Sequence, residues 1–284
     1  MLLFCSVGMI AVLTSPAFAQ TCKVTSINVS GAVSTSANGV NSYDTVVGSY
    51  VTGPPYYNHA FKWSQGTITK YNYPGAIATE YSSNNDHGVI VGTEFSPGGV
   101  GHGMVRTTSG QSTVFRYPNS YSTFAIGINN YGAIVGAYQR AQSGRWYGFL
   151  KTSGGYATLN FPNSTSTWAN SISDTNEIGG RYLDAGGAAH GFTYKNGTYT
   201  RVDFQSSTGG TSVNGVNKYG SLVGSYQVAK DIPVSAWQRK GGVFTSVTWN
   251  NDNSISLNGI NNLGDEVGSA GLSSSRPGFL RICR

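Results

Sequence analysis

One glycine recurs along this chain at a constant step of 44 residues, at Gly48, Gly92, Gly136, Gly180, Gly224 and Gly268. The surrounding residues keep the same phase: positions 128–138 read INNYGAIVGAY and positions 216–226 read VNKYGSLVGSY. A period of roughly 20–50 residues specifies a solenoid, a propeller or an array, because one such unit cannot bury its own apolar face alone.

The inside of one period selects among these. Residues 123–162 divide into TFAIGINN, AIVGAY, YGFLKTS and YATLNFP, separated by YG, by a polar loop QRAQSGRW and by GG. Each run is rich in β-branched and aromatic residues and is bounded by Gly, Asn or Ser, the signature of short strands. No segment keeps an apolar stripe of period 3.6, so helices are not expected. The second residue of the YG pair is Asp44, Gly88, Gly132, Asn176, Gly220 or Gly264, all types that tolerate a left-handed backbone. Three residues earlier stands Asn41, Asn85, Asn129, Asn217 or Asn261, with Ser173 in the remaining copy. Such side chains bond the backbone two residues on, so this segment is read as the hairpin turn between strands one and two.

Four-stranded units of this length, six times over, predict an all-β fold: a six-bladed β-propeller of four antiparallel strands per blade, with strand one nearest the axis. A β-helix would need much shorter coils, and the WD dipeptide is absent. The ends support the count. Residues 23–29 fall in the phase of a fourth strand, while the last copy holds only three strands, SLNGINN, DEVGSA and GFLRIC. The N-terminal strand is therefore expected to complete the last blade. By the same phase, Cys22 and Cys283 occupy the turn between strands three and four of that blade, where no covalent chain exists. A disulfide is expected there, with a Cα separation of about 4.4–6.8 Å.

Residues 1–19 read as a signal peptide: an apolar stretch ending in Ala17-Phe18-Ala19 ahead of Gln20, although no Lys or Arg precedes it. Residues 20–284 then form a single propeller domain, exported and without a transmembrane segment. Cys5 leaves with the signal, and two remaining cysteines in an exported chain favour a bridge. Charged residues are 11% of the chain, well below the roughly 25% usual in soluble proteins, and aromatics are 12%. The formal charge of +6 is dispersed, with no basic stripe of the kind that binds nucleic acid.

With the motif GINNYGAIVGAY…YGFLKTSGGYATLNFP on view, the chain resembles the HAF-repeat family of extracellular bacterial proteins. The tripeptide stands literally at His59-Ala60-Phe61. Its counterparts are His102-Gly103-Met104, Tyr147-Gly148-Phe149, His190-Gly191-Phe192, Ser235-Ala236-Trp237 and Pro277-Gly278-Phe279. The resemblance covers nearly all of the mature chain. It implies export and a repeat fold, and it carries no functional residues over.

Chemistry is sparse. His59, His102 and His190 share one phase, hence separate blades, which argues against a single metal site. Asp44, Asp86 and Asp174 sit in turns, while Glu94, Asp184, Asp231 and Asp252 lie in or beside the loops of the opposite rim without the spacing of a catalytic pair. The glycine-rich PGGVGHG at 97–103 lacks the Lys-Ser/Thr of a phosphate loop. No cofactor or metal is implied, and a monomer is expected. What varies among the copies is the loop between strands two and three, and variable loops on a fixed scaffold carry binding. The expected site is that rim, with Tyr56, Tyr57, Arg140, Arg145, Trp146 and Lys230 as ligand-binding residues. The expected partner is an extracellular polysaccharide or a surface protein. The competing reading is a secreted carbohydrate-active hydrolase on the same scaffold.

Overall fold

The structure is a computed structural model that describes residues 22–205, 207–229, 234–249, 254–271 and 276–283. Six four-stranded antiparallel sheets form the blades of a propeller, and the described residues contain no helix. Blade I comprises Ser34–Val40, Val46–Val51, Asn58–Ser64 and Thr67–Tyr71, and blade II Ala78–Asn84, Ile90–Phe95, Gly101–Arg106 and Ser112–Phe115. Blade III comprises Ser122–Ile128, Ile134–Gln139, Trp146–Thr152 and Gly155–Leu159, and blade IV Ser166–Ile172, Ile178–Leu183, Ala189–Lys195 and Thr198–Val202. Blade V comprises Gly210–Val216, Leu222–Gln227, Ser235–Lys240 and Val243–Val247. Blade VI comprises Ile255–Ile260, Glu266–Ala270, Gly278–Ile282 and, as its fourth strand, Lys23–Ile27 from the start of the chain.

That closing strand pairs in full register with the end of the chain, from Lys23 opposite Ile282 to Ile27 opposite Gly278. It stops at Ile27, two residues short of the expected span, and Val29 instead packs into the cluster between blades VI and I. Cys22 and Cys283 are joined, taking the place of the missing turn; their Cα atoms are 4.2 Å apart, just under the expected range.

The periodic glycine is explained by lack of room. A Cβ on Gly48 would lie 1.9 Å from Ser36 O and 2.9 Å from the Phe61 ring, and one on Gly136 would lie 1.9 Å from Phe124 O and 2.8 Å from Phe149. Strand two thus presses against strand one beneath a third-strand side chain. Those side chains, Phe61, Met104, Phe149, Phe192, Trp237 and Phe279, are all fully buried and form the centre of each blade. A register shift interrupts every first strand, as between Ala37 and Gly39 or Ala125 and Gly127. Such a bulge bends the strand locally.

The turn reading holds as well. Asp44, Gly88, Gly132, Asn176, Gly220 and Gly264 all have positive φ, from 56° to 88°. Asn129 Oδ1 accepts from Tyr131 N at 3.1 Å and from Ala133 N at 3.0 Å, and Asn41, Asn217 and Asn261 do the same in their blades. The amide end of these side chains has a second use, which the sequence reading missed. Asn41 Nδ2 donates to Asn85 O (3.1 Å), Asn85 to Asn129 O (3.1 Å) and Asn129 to Ser173 O (3.2 Å). Asn217 donates to Asn261 O (3.2 Å) and Asn261 to Asn41 O (3.0 Å), which carries the ring across the closure. The asparagines that define five of the turns therefore also tie their blades to the next, the step from blade IV to blade V excepted.

Candidate functional site

The first strands line the axis. Their alternation puts Asn38, Ser82, Ile126, Asn170, Asn214 and Asn258 in one inward ring, which opens on the rim of the strand two–three loops as a funnel of about 390 Å³. Below it the channel narrows to about 80 Å³. At the far end the residues after the turn asparagines bond one another. Asn130 Nδ2 donates to Asp86 Oδ2 (2.8 Å) and Asp174 Oδ2 (2.9 Å), and Asn262 Nδ2 reaches Asp174 Oδ2 at 2.7 Å. Asn262 belongs to blade VI and Asp174 to blade IV, so short side chains span this end.

The inward ring is braced by its own amides. Asn170 Nδ2 donates to Val213 O (3.0 Å), Asn214 Nδ2 to Leu257 O (2.8 Å), Asn258 Nδ2 to Ala37 O (3.0 Å) and Asn38 Nδ2 to Tyr81 O (2.9 Å). One turn of the alternation nearer the mouth stand Ser36, Glu80, Phe124, Trp168, Ser212 and Ser256. Three blades carry serine there, and blades II, III and IV do not. Trp168, half-buried, lines the funnel, and the Arg181 guanidinium lies over its ring, 4.3 Å from the centroid. The Trp146 ring packs on Phe124 at 4.7 Å and stands 6.3 Å from Trp168, and Phe124 meets Phe95 edge-on at 5.6 Å. A series of aromatic rings thus runs from blade II to blade IV, ending at Trp168 on the funnel.

Two charges flank this series. Arg181 is accessible to water from within the funnel yet crowded by the surrounding protein, and that desolvation lowers its pKa. It stays a cation, because an arginine starts so far above neutrality. Glu80 is half-buried, and desolvation raises its pKa, opposed by a hydrogen bond from Asn58 Nδ2 to its Oε1. An aromatic face beside a fixed cation, with polar amides at the floor, can hold a flat apolar surface by stacking and an electron-rich group by charge.

The residues singled out from the sequence fall in three places. Tyr56 and Tyr57 are exposed at 68% and 42% in the blade I loop, two blades away from Trp146. Trp146 does not line the funnel and reaches it only through its ring contacts with Phe124 and Trp168. Arg140 and Arg145 are brought together over the Tyr147 ring, at 5.3 and 4.7 Å. Arg145 Nη2 is further held by Asn160 Oδ1 (2.8 Å) and Ser164 O (3.0 Å), so it faces the III–IV junction instead of acting beside Trp146. A raised Arg140 pKa traces first to its hydrogen bond with Tyr138. Lys230, with Asp231 and Asp252, lies outside the described residues. Trp168, Arg181, Phe124 and Glu80 were missed. Each departs from its repeat consensus inside a strand, a signal available in the sequence to anyone comparing copies outside the loops.

Glu94, Asp184, His59, His102 and His190 are engaged within single blades. Glu94 is buried and bonded to His102, whose other nitrogen meets Arg116. In blade IV the His190 ring sits between Asp203 (3.1 Å) and Asp184 (3.3 Å), filling the gap between the two carboxylates. His59 Nδ1 lies 2.8 Å from Asn72 Oδ1. Among the described residues, no three of His, Cys, Asp and Glu are grouped to hold a metal.

Fold and funnel together define a six-bladed β-propeller with a tryptophan at its axial mouth, and solved structures share its architecture. Virginiamycin B lyase from Staphylococcus aureus, in a catalytically inactive variant with quinupristin, is 12% identical; the match covers 92% of this chain and all of the other, at a TM-score of 0.56. AofleA from Arthrobotrys oligospora is 13% identical over 93% of this chain and 86% of its own, at 0.57. The Aleuria aurantia lectin in complex with α-methyl-L-fucoside is 10% identical over 88% and 91%, at 0.54. These identities establish likeness of fold alone. No family model matches the chain, and no curated protein sequence is a significant match.

Proposed function

We propose that this protein is an exported, non-catalytic binding propeller of the HAF-repeat kind that takes a glycan in the axial funnel. The observation that carries the reading is Trp168 stacked under Arg181 at the mouth of a 390 Å³ cavity whose floor is a ring of four asparagines, one serine and Ile126. Sugar rings offer apolar CH faces to aromatic planes and hydroxyls to amides, and both partners are present here. A lectin among the structures of similar fold supports the same class of ligand. The disulfide suits an oxidising compartment, and no helix among the described residues is long and apolar enough to cross a membrane. Both are compatible with the periplasm or the cell exterior.

A glycan and polysaccharide array with the protein tests the reading, followed by affinity measurements on Trp168→Ala and Arg181→Ala. Each variant should weaken the retained glycan about tenfold or more, a loss of ~1.4 kcal/mol. No retained glycan, or unchanged affinity in both variants, would overturn it.

A further inference from the structure

The junction between blades I and II differs from the three apolar ones. At the VI–I junction Leu280 packs on Ala37, Val40 and Val46. At the II–III junction Val105 packs on Ala125, Ile128 and Ile134, and at the III–IV junction Leu150 packs on Ala169, Ile172 and Ile178. The corresponding residues between blades I and II are Lys62, Tyr81, Asn84 and Ile90. Three of four positions that are apolar at those junctions are polar here. Beside the apolar cluster that Val47, Ala60, Tyr81, Ile90 and Met104 form across this junction there is a cavity of about 270 Å³, opening on the rim of the turns, opposite the funnel.

Its floor is unsatisfied. Tyr81 is 2% exposed and Asn84 6%, and both line the cavity. Tyr81 Oη and Asn84 Oδ1 have no hydrogen-bond partner. A buried polar atom without a partner is costly, and such groups point to something that binds. The Tyr81 ring is fixed by stacking on Tyr71, 5.5 Å away, and Arg106 covers Tyr71 at 4.2 Å. Burial pushes the Tyr81 hydroxyl far above the usual phenol range, against the pull of Arg106, so it remains a donor. Lys62 stands exposed at the lip with no ion pair among the described residues. Lys70 contributes only its stem, since its ammonium turns away to Ser30 O at 3.2 Å. The lining contains no carboxylate.

We infer that this interblade cavity is a second binding site, which takes a small hydroxylated ligand bearing an oxyanion, of the size and chemistry of a hexuronate. Lys62 and Arg106 provide the positive charge, Tyr81 Oη donates to the anion, and Asn84 Oδ1 accepts from a ligand hydroxyl. The volume lies below the roughly 300–1,000 Å³ of sites for drug-sized molecules, which fits a single sugar unit.

Calorimetric titration of the full chain with sodium glucuronate, sodium sulfate and glucose tests the site. Glucuronate should bind at least tenfold more tightly than glucose. Sulfate displacing it identifies the oxyanion as the recognised group; glucuronate binding without sulfate binding identifies the hydroxylated anion. Lys62→Met and Tyr81→Phe should each weaken glucuronate about tenfold, and Tyr81→Phe keeps the ring stack, so the fold is preserved. Trp168→Ala should leave this binding unchanged. No heat with either anion, or binding insensitive to both variants, would overturn the site. Binding lost only in Trp168→Ala would overturn it too and would move the anion to the funnel. Failure here leaves the funnel reading standing.

Discussion

Glu80 shows how one substitution within a repeat changes the chemistry of a blade. Its counterparts at the mouth are serine in three blades and aromatic in two. Its carboxyl is partly desolvated and its pKa is raised, so the folded protein holds its proton more tightly than the unfolded chain does. Folding stability therefore falls as pH rises from the unfolded value of about 4.3 through the folded one, where the native state is asked to bury a charge. Glu80→Gln keeps the acceptor for Asn58 and removes the charge. The variant should melt at a higher temperature than the wild type near pH 7, and the gap should close below about pH 4, where both side chains are neutral; thermal melts across pH 3–8 measure this. Residue-level signals were legible in the sequence where a backbone demand selects a residue type. The left-handed position filled by Asp44, Gly88 and Asn176 was such a case. The loops drew attention to Tyr57 and Arg145, while Trp168 and Arg181 sit within strands and acquire their meaning only when the first strands converge on one axis.

At the level of the element, the hairpin between strands one and two is also the joint between blades. The asparagine ring is interrupted at one step, because Ser173 is too short to reach blade V; its hydroxyl instead meets Thr175 Oγ1 at 3.0 Å and accepts from Glu177 N at 3.1 Å. Ser173→Asn should supply the missing amide and stabilise the protein by about 0.5–1.5 kcal/mol, whereas Asn129→Ala should cost about 1–3 kcal/mol by leaving a buried carbonyl and two turn amides unpaired. Urea unfolding of the two variants, with opposite signs expected, checks both. The turn role of these asparagines was readable from their spacing to the YG pair. The inter-blade role was not, since it depends on carbonyls exactly one repeat away that become neighbours only through the circular arrangement.

For the whole molecule, closure is the weak point of any ring, and here it rests on one strand and one covalent bond. The disulfide spans a sequence separation of 261 residues, so in the chain-entropy view it restrains the unfolded state strongly. Replacing Cys22 and Cys283 by Ser should lower stability by about 2–5 kcal/mol while the circular dichroism spectrum stays that of a folded β protein. Equal unfolding midpoints for variant and wild type would show that strand pairing alone secures the ring. The blade count, the strand order, the borrowed fourth strand and the bridge were all determined by the sequence, because a constant period forces every copy into the same local structure and leaves the ends only one way to match. Tertiary structure alone decided which departures from the period matter. Trp146 of blade III and Trp168 of blade IV lie in different sheets, and Lys62 is 19 residues from Tyr81 in a neighbouring sheet. Their proximity follows from the rotation between blades about a common axis, a quantity that no pattern along the chain encodes.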